Sequence, residues 1–220
     1  IKNVSLFVSP GDPSKGLLPT NPACASITQT GIVTPACDAQ VPRLSYTVNA
    51  ALMPRKRKST DPANVVSQTS VDAVADTILV APFSNTPGCV NDTSNNQTTT
   101  GYKNKSHRPT NAFMSTATGG KWAGDNTTDA GLPGVYAVTS TLAKTYWADC
   151  KTLADSSSLP HIKYIAVKRF GDGSNYMYGD GHAKFATPDK TLNPNAWQWG
   201  KIIYSMGGKP VWKTDGTPVN

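Results

Sequence analysis

Ser174-Asn175-Tyr176-Met177-Tyr178-Gly179-Asp180-Gly181-His182-Ala183-Lys184-Phe185 is the stretch on which the fold turns. Asn175 to Tyr178 reads as one strand and His182 to Phe185 as its partner. Gly179-Asp180-Gly181 is the hairpin turn between them, since Asp-Gly suits a reversal in which two successive residues take positive φ. Tyr176 and Tyr178 alternate with Met177, so the two tyrosines share one face of the strand. The hairpin defines a β-sheet protein and, taken alone, no activity.

Working outward, four segments carry a resemblance. Lys168-Arg169-Phe170-Gly171-Asp172-Gly173, followed by the hairpin, is similar to the C-terminal signature of bacterial prepilin-like proteins of the H-x9-DG type. Phe170 stands where that signature has its histidine, so no role of that imidazole carries over. Ile1-Lys2-Asn3 with Leu6-Phe7-Val8-Ser9-Pro10-Gly11-Asp12-Pro13 resembles the family's entry segment, with Ser9 where a cysteine is common. Ser45-Tyr46-Thr47-Val48-Asn49 and Asp76-Thr77-Ile78-Leu79-Val80-Ala81 are similar to two of its strands. The resemblance implies an α+β fold: the antiparallel-sheet globular head of a type IV pilin or pseudopilin, loop-rich, with few short helices. The motifs leave about Pro82 to Pro160 uncovered; the length fits a single domain, 1–220, and composition marks a polar, loop-rich insertion at about 82–133.

Composition agrees with an extracellular setting. The 220 residues include 18 Gly and 17 Pro and only 16% charged residues, which suits a loop-rich β protein more than a helical enzyme. There are 21 basic residues against 14 acidic, a net charge of +7. Most of these charges are scattered, as on a solvated basic surface. Arg55-Lys56-Arg57-Lys58 is the one run, and it lacks the interleaved aromatics of a base-stacking surface, so no nucleic-acid partner is expected.

Cys24, Cys37, Cys89 and Cys150 form no Cys-x-x-Cys pair and stand at no zinc-finger spacing from His107, His161 and His182. An even count in such a chain favours disulfides in an oxidising compartment. Three pairings are open; the expected one joins Cys24 to Cys37 around a local loop and Cys89 to Cys150 across the insertion. Five Asn-x-Ser/Thr sequons, at Asn3, Asn91, Asn96, Asn104 and Asn126, offer surface glycosylation.

The chain in order gives further expectations. Val4, Leu6 and Val8 mark a short strand or extended entry segment closed by the Pro10-Gly11-Asp12-Pro13 turn. Leu44, Tyr46 and Val48 line one strand face, and Ile78-Leu79-Val80 is apolar on both sides, as a central strand requires. Leu142, Tyr146, Cys150 and Leu153 stand at helical intervals, with Cys150 on the buried side. His161 to Phe170 alternates as a strand. The tail holds Trp197, Trp199, Ile202, Ile203, Tyr204 and Trp212, an apolar load that must pack on the sheet or on a neighbouring subunit.

No run of about 18 apolar residues is present, so none of these residues is expected to contact a membrane. Members of the family normally begin with a long apolar helix, and Ile1 falls within a motif that usually lies downstream of it. The helix is thus expected to have been removed or dispensed with.

No catalytic set emerges. Asp180 beside His182 and the hydroxyl of Ser174 have no elbow or helical motif to organise them, so the chain is not expected to be an enzyme. No cofactor is expected either. Asp172 and Asp180 are the places where calcium would find hard oxygens on glycine-flexible backbone, a metal that some pseudopilins bind, although Asp in such turns ordinarily serves the turn itself. Two functions remain. The first is an extracellular, non-enzymatic subunit that self-assembles into a cell-surface filament or decorates one, with Ile1, Trp197, Trp199 and Trp212 as contacts. The alternative is a secreted module that holds cell-surface glycan through exposed Trp and Tyr and the basic loop.

Overall fold

A computed structural model describes residues 4–15, 45–54, 66–90, 109–122, 131–153 and 156–220. Ile1, Cys24, Cys37, Arg55 to Lys58 and the five sequon asparagines lie outside the described residues. The fold is α+β, built on two sheets.

In the first sheet β1 (Tyr46–Val48), β2 (Ile78–Pro82), β6 (Ser174–Tyr178) and β7 (Ala183–Ala186) lie in the order β1-β2-β6-β7, every pair antiparallel. β2 is interior, as its apolar run requires. A bulge between Ile78 and Val80 turns Ile78 into the core and leaves Val80 half-buried. β1 reverses the expectation: Ser45, Thr47 and Asn49 point inward, and Tyr46 and Val48 are only half-buried. The polar side chains are tolerated there because they are bonded. Asn49 Nδ2 donates to the carbonyls of Ile78 (2.8 Å) and Trp199 (3.1 Å), and its Oδ1 accepts from Ala51 N–H (3.0 Å).

The hairpin forms with Ser174, Tyr176 and Tyr178 buried and Asn175 exposed. Its turn differs from the expected pair of positive-φ residues. Gly181 alone is left-handed, at φ 96°; Gly181 N–H donates to Tyr178 O, and Tyr178 N–H to His182 O, both at 2.9 Å. Three residues thus connect the strands, a tight turn closed by a left-handed glycine.

The second sheet has the order β4-β3-β5-β9-β8 and comprises β3 (Phe113–Thr116), β4 (Gly119–Lys121), β5 (Val135–Ala137), β8 (Ile202–Ile203) and β9 (Lys209–Trp212). Only β5 and β9 run parallel, joining Val135 to Val211 across the sheet. β3 and β4 fall inside the segment read as a polar insertion. Their Phe113 and Met114, with Ala112 and Trp122 beside them, belong to the main core. A single bridge from Asn49 to Thr110 ties the two sheets.

Among the described residues three α-helices accompany the sheets: α1 (Pro87–Val90), α2 (Ser140–Thr152) and α3 (Pro188–Thr191). Thr139 caps α2 by accepting the amide of Leu142. The buried stripe of α2 is Ala143, Trp147 and Cys150, one residue round from the expected one, and Leu153 is exposed at its end. Trp147 wins the inward place because its Nε1 donates to the carbonyl of Ile162 at 2.8 Å. Cys150 is buried as expected and bonded to Cys89 of α1.

Two expected strands are absent. Val4–Phe7 and His161–Tyr164 are 3-10 turns, the second started by Pro160, whose carbonyl accepts the amide of Lys163. Ile165 and Phe170 keep isolated strand-like bridges, to Phe83 and Gly173. The tail packs on its own fold: Trp197 and Trp199 are 3% and 1% exposed. Trp199 lies edge-on to Tyr176 (6.2 Å), and Trp197 N–H donates to Asn220 O. Neither indole is available as a surface contact; Trp212, half-buried against Tyr136, keeps part of its ring outside.

The hairpin ends make a testable contrast. A Cβ at Gly181 meets nothing within 4 Å, so Gly181→Ala carries only the left-handed φ, about 1 kcal/mol. A Cβ at Gly173 would sit 2.5 Å from the carbonyl oxygen of Ala186, and Gly173→Ala costs about 2–3 kcal/mol. Urea unfolding should rank them in that order; the reverse order contradicts this packing.

Candidate functional site

The residues quoted for the family signature converge at the end of the first sheet where β6 begins. Asp12 follows a turn in which its own N–H donates to Ser9 O (2.9 Å). That turn aims its carboxylate inward, onto Arg169 Nη1 at 3.2 Å, with the two side chains 0% and 3% exposed respectively. Oδ1 also accepts from Ser14 N–H (3.0 Å) and Ser14 Oγ (2.6 Å), and Oδ2 from Ser45 Oγ (2.7 Å). Arg169 Nη2 donates to Phe83 O at 2.6 Å. A buried ion pair is tolerable only with such supplementary bonds, and here both partners have them.

Gly11 and Gly173 complete the arrangement. A Cβ on Gly11 would stand 2.6 Å from Cε1 of Phe170, so the ring covers the turn that carries Asp12. Phe170 N–H donates to Gly173 O, and Gly173 lies against the ring of Phe185. Phe170 and Phe185, 38% and 46% exposed, therefore flank one glycine on the outside of the ion pair. An aromatic ring at 170 shields the pair by contact alone.

The candidate chemical groups do not gather into a reactive set. Ser174 Oγ donates to Ala166 O (2.6 Å) and accepts Arg169 N–H (3.0 Å), which makes it a latch with no base beside it. His182 Nδ1 lies 2.7 Å from Asp180 Oδ1 in the exposed turn, its ring stacked on Tyr178 at 4.6 Å. Tyr178 itself is pushed up to about 12 by burial and then by Asp76, and its neutral hydroxyl donates to Gln198 Oε1 at 2.7 Å. Asp172 and Asp180 stand beyond opposite ends of β6, whose five residues span about 13 Å, so they do not share an ion. Among the described residues no three His, Cys, Asp or Glu side chains are grouped as metal ligands.

The sequence reading missed two groups. Arg169 and Asp12 stand in the sequence as letters of two separate motifs, and the Ser-Pro-Gly-Asp-Pro turn is the signal that bears on their pairing. Lys163, fully buried, gave no signal at all: it bonds Ser156 through that residue's carbonyl and its Oγ (3.0 Å) and lies 5.1 Å from the ring of Tyr164.

Comparison with protein-family models, with curated proteins and with solved structures finds no match to this chain.

Removing either charge strands the other in the interior. Asp12→Asn and Arg169→Met should each destabilise by about 3–5 kcal/mol, and the double variant by much less than their sum. Additive losses in denaturant titrations would show that the two charges are uncoupled. Asp180 supplies a pH reading. The His182 backbone N–H, then its ring, hold the Asp180 carboxyl below the ordinary 3.8. A depressed carboxyl stabilises above its unfolded pKa and loses that contribution as pH falls through the folded value. His182→Ala, which keeps the N–H, should return the Asp180 titration only part of the way to 3.8 by NMR; complete return would mean the ring alone held it down.

Proposed function

We propose that this chain is the globular head of an extracellular, non-enzymatic structural subunit of pilin- or pseudopilin-like kind. It assembles with copies of itself into a cell-surface filament or decorates one. The observation that carries the reading is the buried Asp12–Arg169 pair. The four stretches that resemble the family were matched separately along the sequence, and in the fold they touch. Asp12 of the first bonds Ser45 of the second and Arg169 of the fourth, and the third is β2, flanked by β1 and β6. Unrelated chance matches have no reason to meet this way.

The Cys89–Cys150 disulfide supports an oxidising, extracellular compartment. With Trp197 and Trp199 spent inside, the assembly surface passes to Leu6, Phe170 and Phe185, exposed by 71%, 38% and 46%. Apolar contacts repeated head to tail between copies produce open filaments when the rotation does not close.

Electron microscopy of native, unfractionated material tests the reading. An ordered filament containing this chain is expected; dispersed monomers of the full-length native product would overturn it. The variant Phe170→Ser/Phe185→Ser removes rings that are more than half buried and should cost about 2–3 kcal/mol while leaving the chain folded, as urea unfolding will report. Its assembly should fall at least tenfold in concentration-dependent light scattering.

A further inference from the structure

A cleft of ≈ 500 Å³ opens beside Arg169, between α2, residues 84–86, residues 163–169 and the turn residues Gly11 and Pro13. That volume is in the range of small-molecule sites. Its lining includes five cations, Lys144, Lys151, Lys163, Lys168 and Arg169, and among the described residues no carboxylate. Three of these cations have partners nearby: Arg169 in Asp12, Lys144 in Asp189 at 2.9 Å, and buried Lys163 in the carbonyl and hydroxyl of Ser156, while Lys168 also lies within Coulombic reach of Asp189. The Lys144–Asp189 pair is more than half exposed and contributes little. Lys151 and Lys168 are exposed at the mouth and form no ion pair among the described residues. The field in the cleft is therefore positive.

Opposite the lysines, Ser84, Asn85 and Thr86 supply short polar groups. Trp147 lies in the wall, nine-tenths buried, with its N–H committed to Ile162 O, so only ring carbon is offered. Cations at the mouth, hydroxyl and amide partners on one wall and apolar carbon beside them match a sugar that carries an acid group. A stacked nucleobase would need an open aromatic face, which this lining lacks. We infer that this cleft binds an acidic saccharide, its carboxylate or sulfate seated at Lys151 and Lys168. None of the tail tryptophans on which a glycan-binding reading of the sequence rests lines it.

The test is calorimetric titration of the intact chain, at about 0.15 M salt, with three oligosaccharides of equal length. One is an oligogalacturonate, one a sulfated heparin fragment and one a neutral maltooligosaccharide. At least one acidic probe should bind, and which of them does so distinguishes carboxylate from sulfate; the neutral probe should not. Lys151→Glu/Lys168→Glu should lose at least tenfold in affinity. Lys184→Glu/Lys201→Glu, with the same change in net charge at exposed sites outside the cleft, should stay within about threefold. All four side chains are exposed, so both variants should fold, as thermal melts will report. Binding of neither acidic probe, equal binding of the neutral one, or equal loss in both variants would overturn the inference.

Discussion

The bond between Asp12 and Arg169 is the constraint on which the arrangement of this protein rests. Two opposite charges lie out of water; Asp12 also accepts from Ser14 and Ser45, and Arg169 also donates to the Phe83 carbonyl. Such a pair adds little net stability compared with apolar residues of similar size, but it tolerates almost no misplacement. It therefore specifies which turn must lie against which strand. The amino-terminal turn, the start of β1 and the approach to β6 are brought to one point by it. Ser174 reinforces the same point from β6, bonding both Ala166 O and Arg169 N–H.

Around that point the chain uses polar groups where a simpler sheet would use aliphatic ones. β1 buries Ser45, Thr47 and Asn49, and Asn49 alone joins β1 to β2 and to the backbone at Trp199. The aromatic mass that balances this is concentrated on the other side, where Phe113, Trp122, Tyr176, Trp197 and Trp199 meet in one cluster. α2 is fastened to the same body twice, by the Trp147 bond to Ile162 O and by the Cys89–Cys150 disulfide. A Cβ on Gly88 would meet the carbonyl oxygen of Cys150, so the disulfide also depends on a glycine beside it.

These features divide the surface into two regions with different chemistry. Phe170 and Phe185 make the outer side of the ion pair apolar. The side toward α2 is rich in lysines, because α2 and the 163–169 segment both present them to one cleft, with Asp189 paired to Lys144 at its edge. A filament subunit that also holds acidic saccharide would use the two regions separately, one for copies of itself and one for a cell surface.

Sequence alone determined the elements whose cause is local. The β6–β7 hairpin follows from Gly179-Asp180-Gly181 between alternating residues, the central place of β2 from an apolar run, and the existence of α2 from helical spacing. The Cys89–Cys150 bond was legible because few pairings were open. What the sequence hid are choices among near-equal local options. One residue of rotation on α2 exchanges Leu142 and Tyr146 for Ala143 and Trp147, and only the carbonyl of Ile162, offered from another segment, decides it. Whether the tail tryptophans face a neighbour or their own sheet depends on β9 joining β5 in parallel, a long-range pairing that no local pattern encodes. The inward turn of Ser45, Thr47 and Asn49, and the burial of Lys163 and Arg169, contradict residue-type expectation. They are stable because partners distant in sequence satisfy them, and those partners exist only once the tertiary structure has formed.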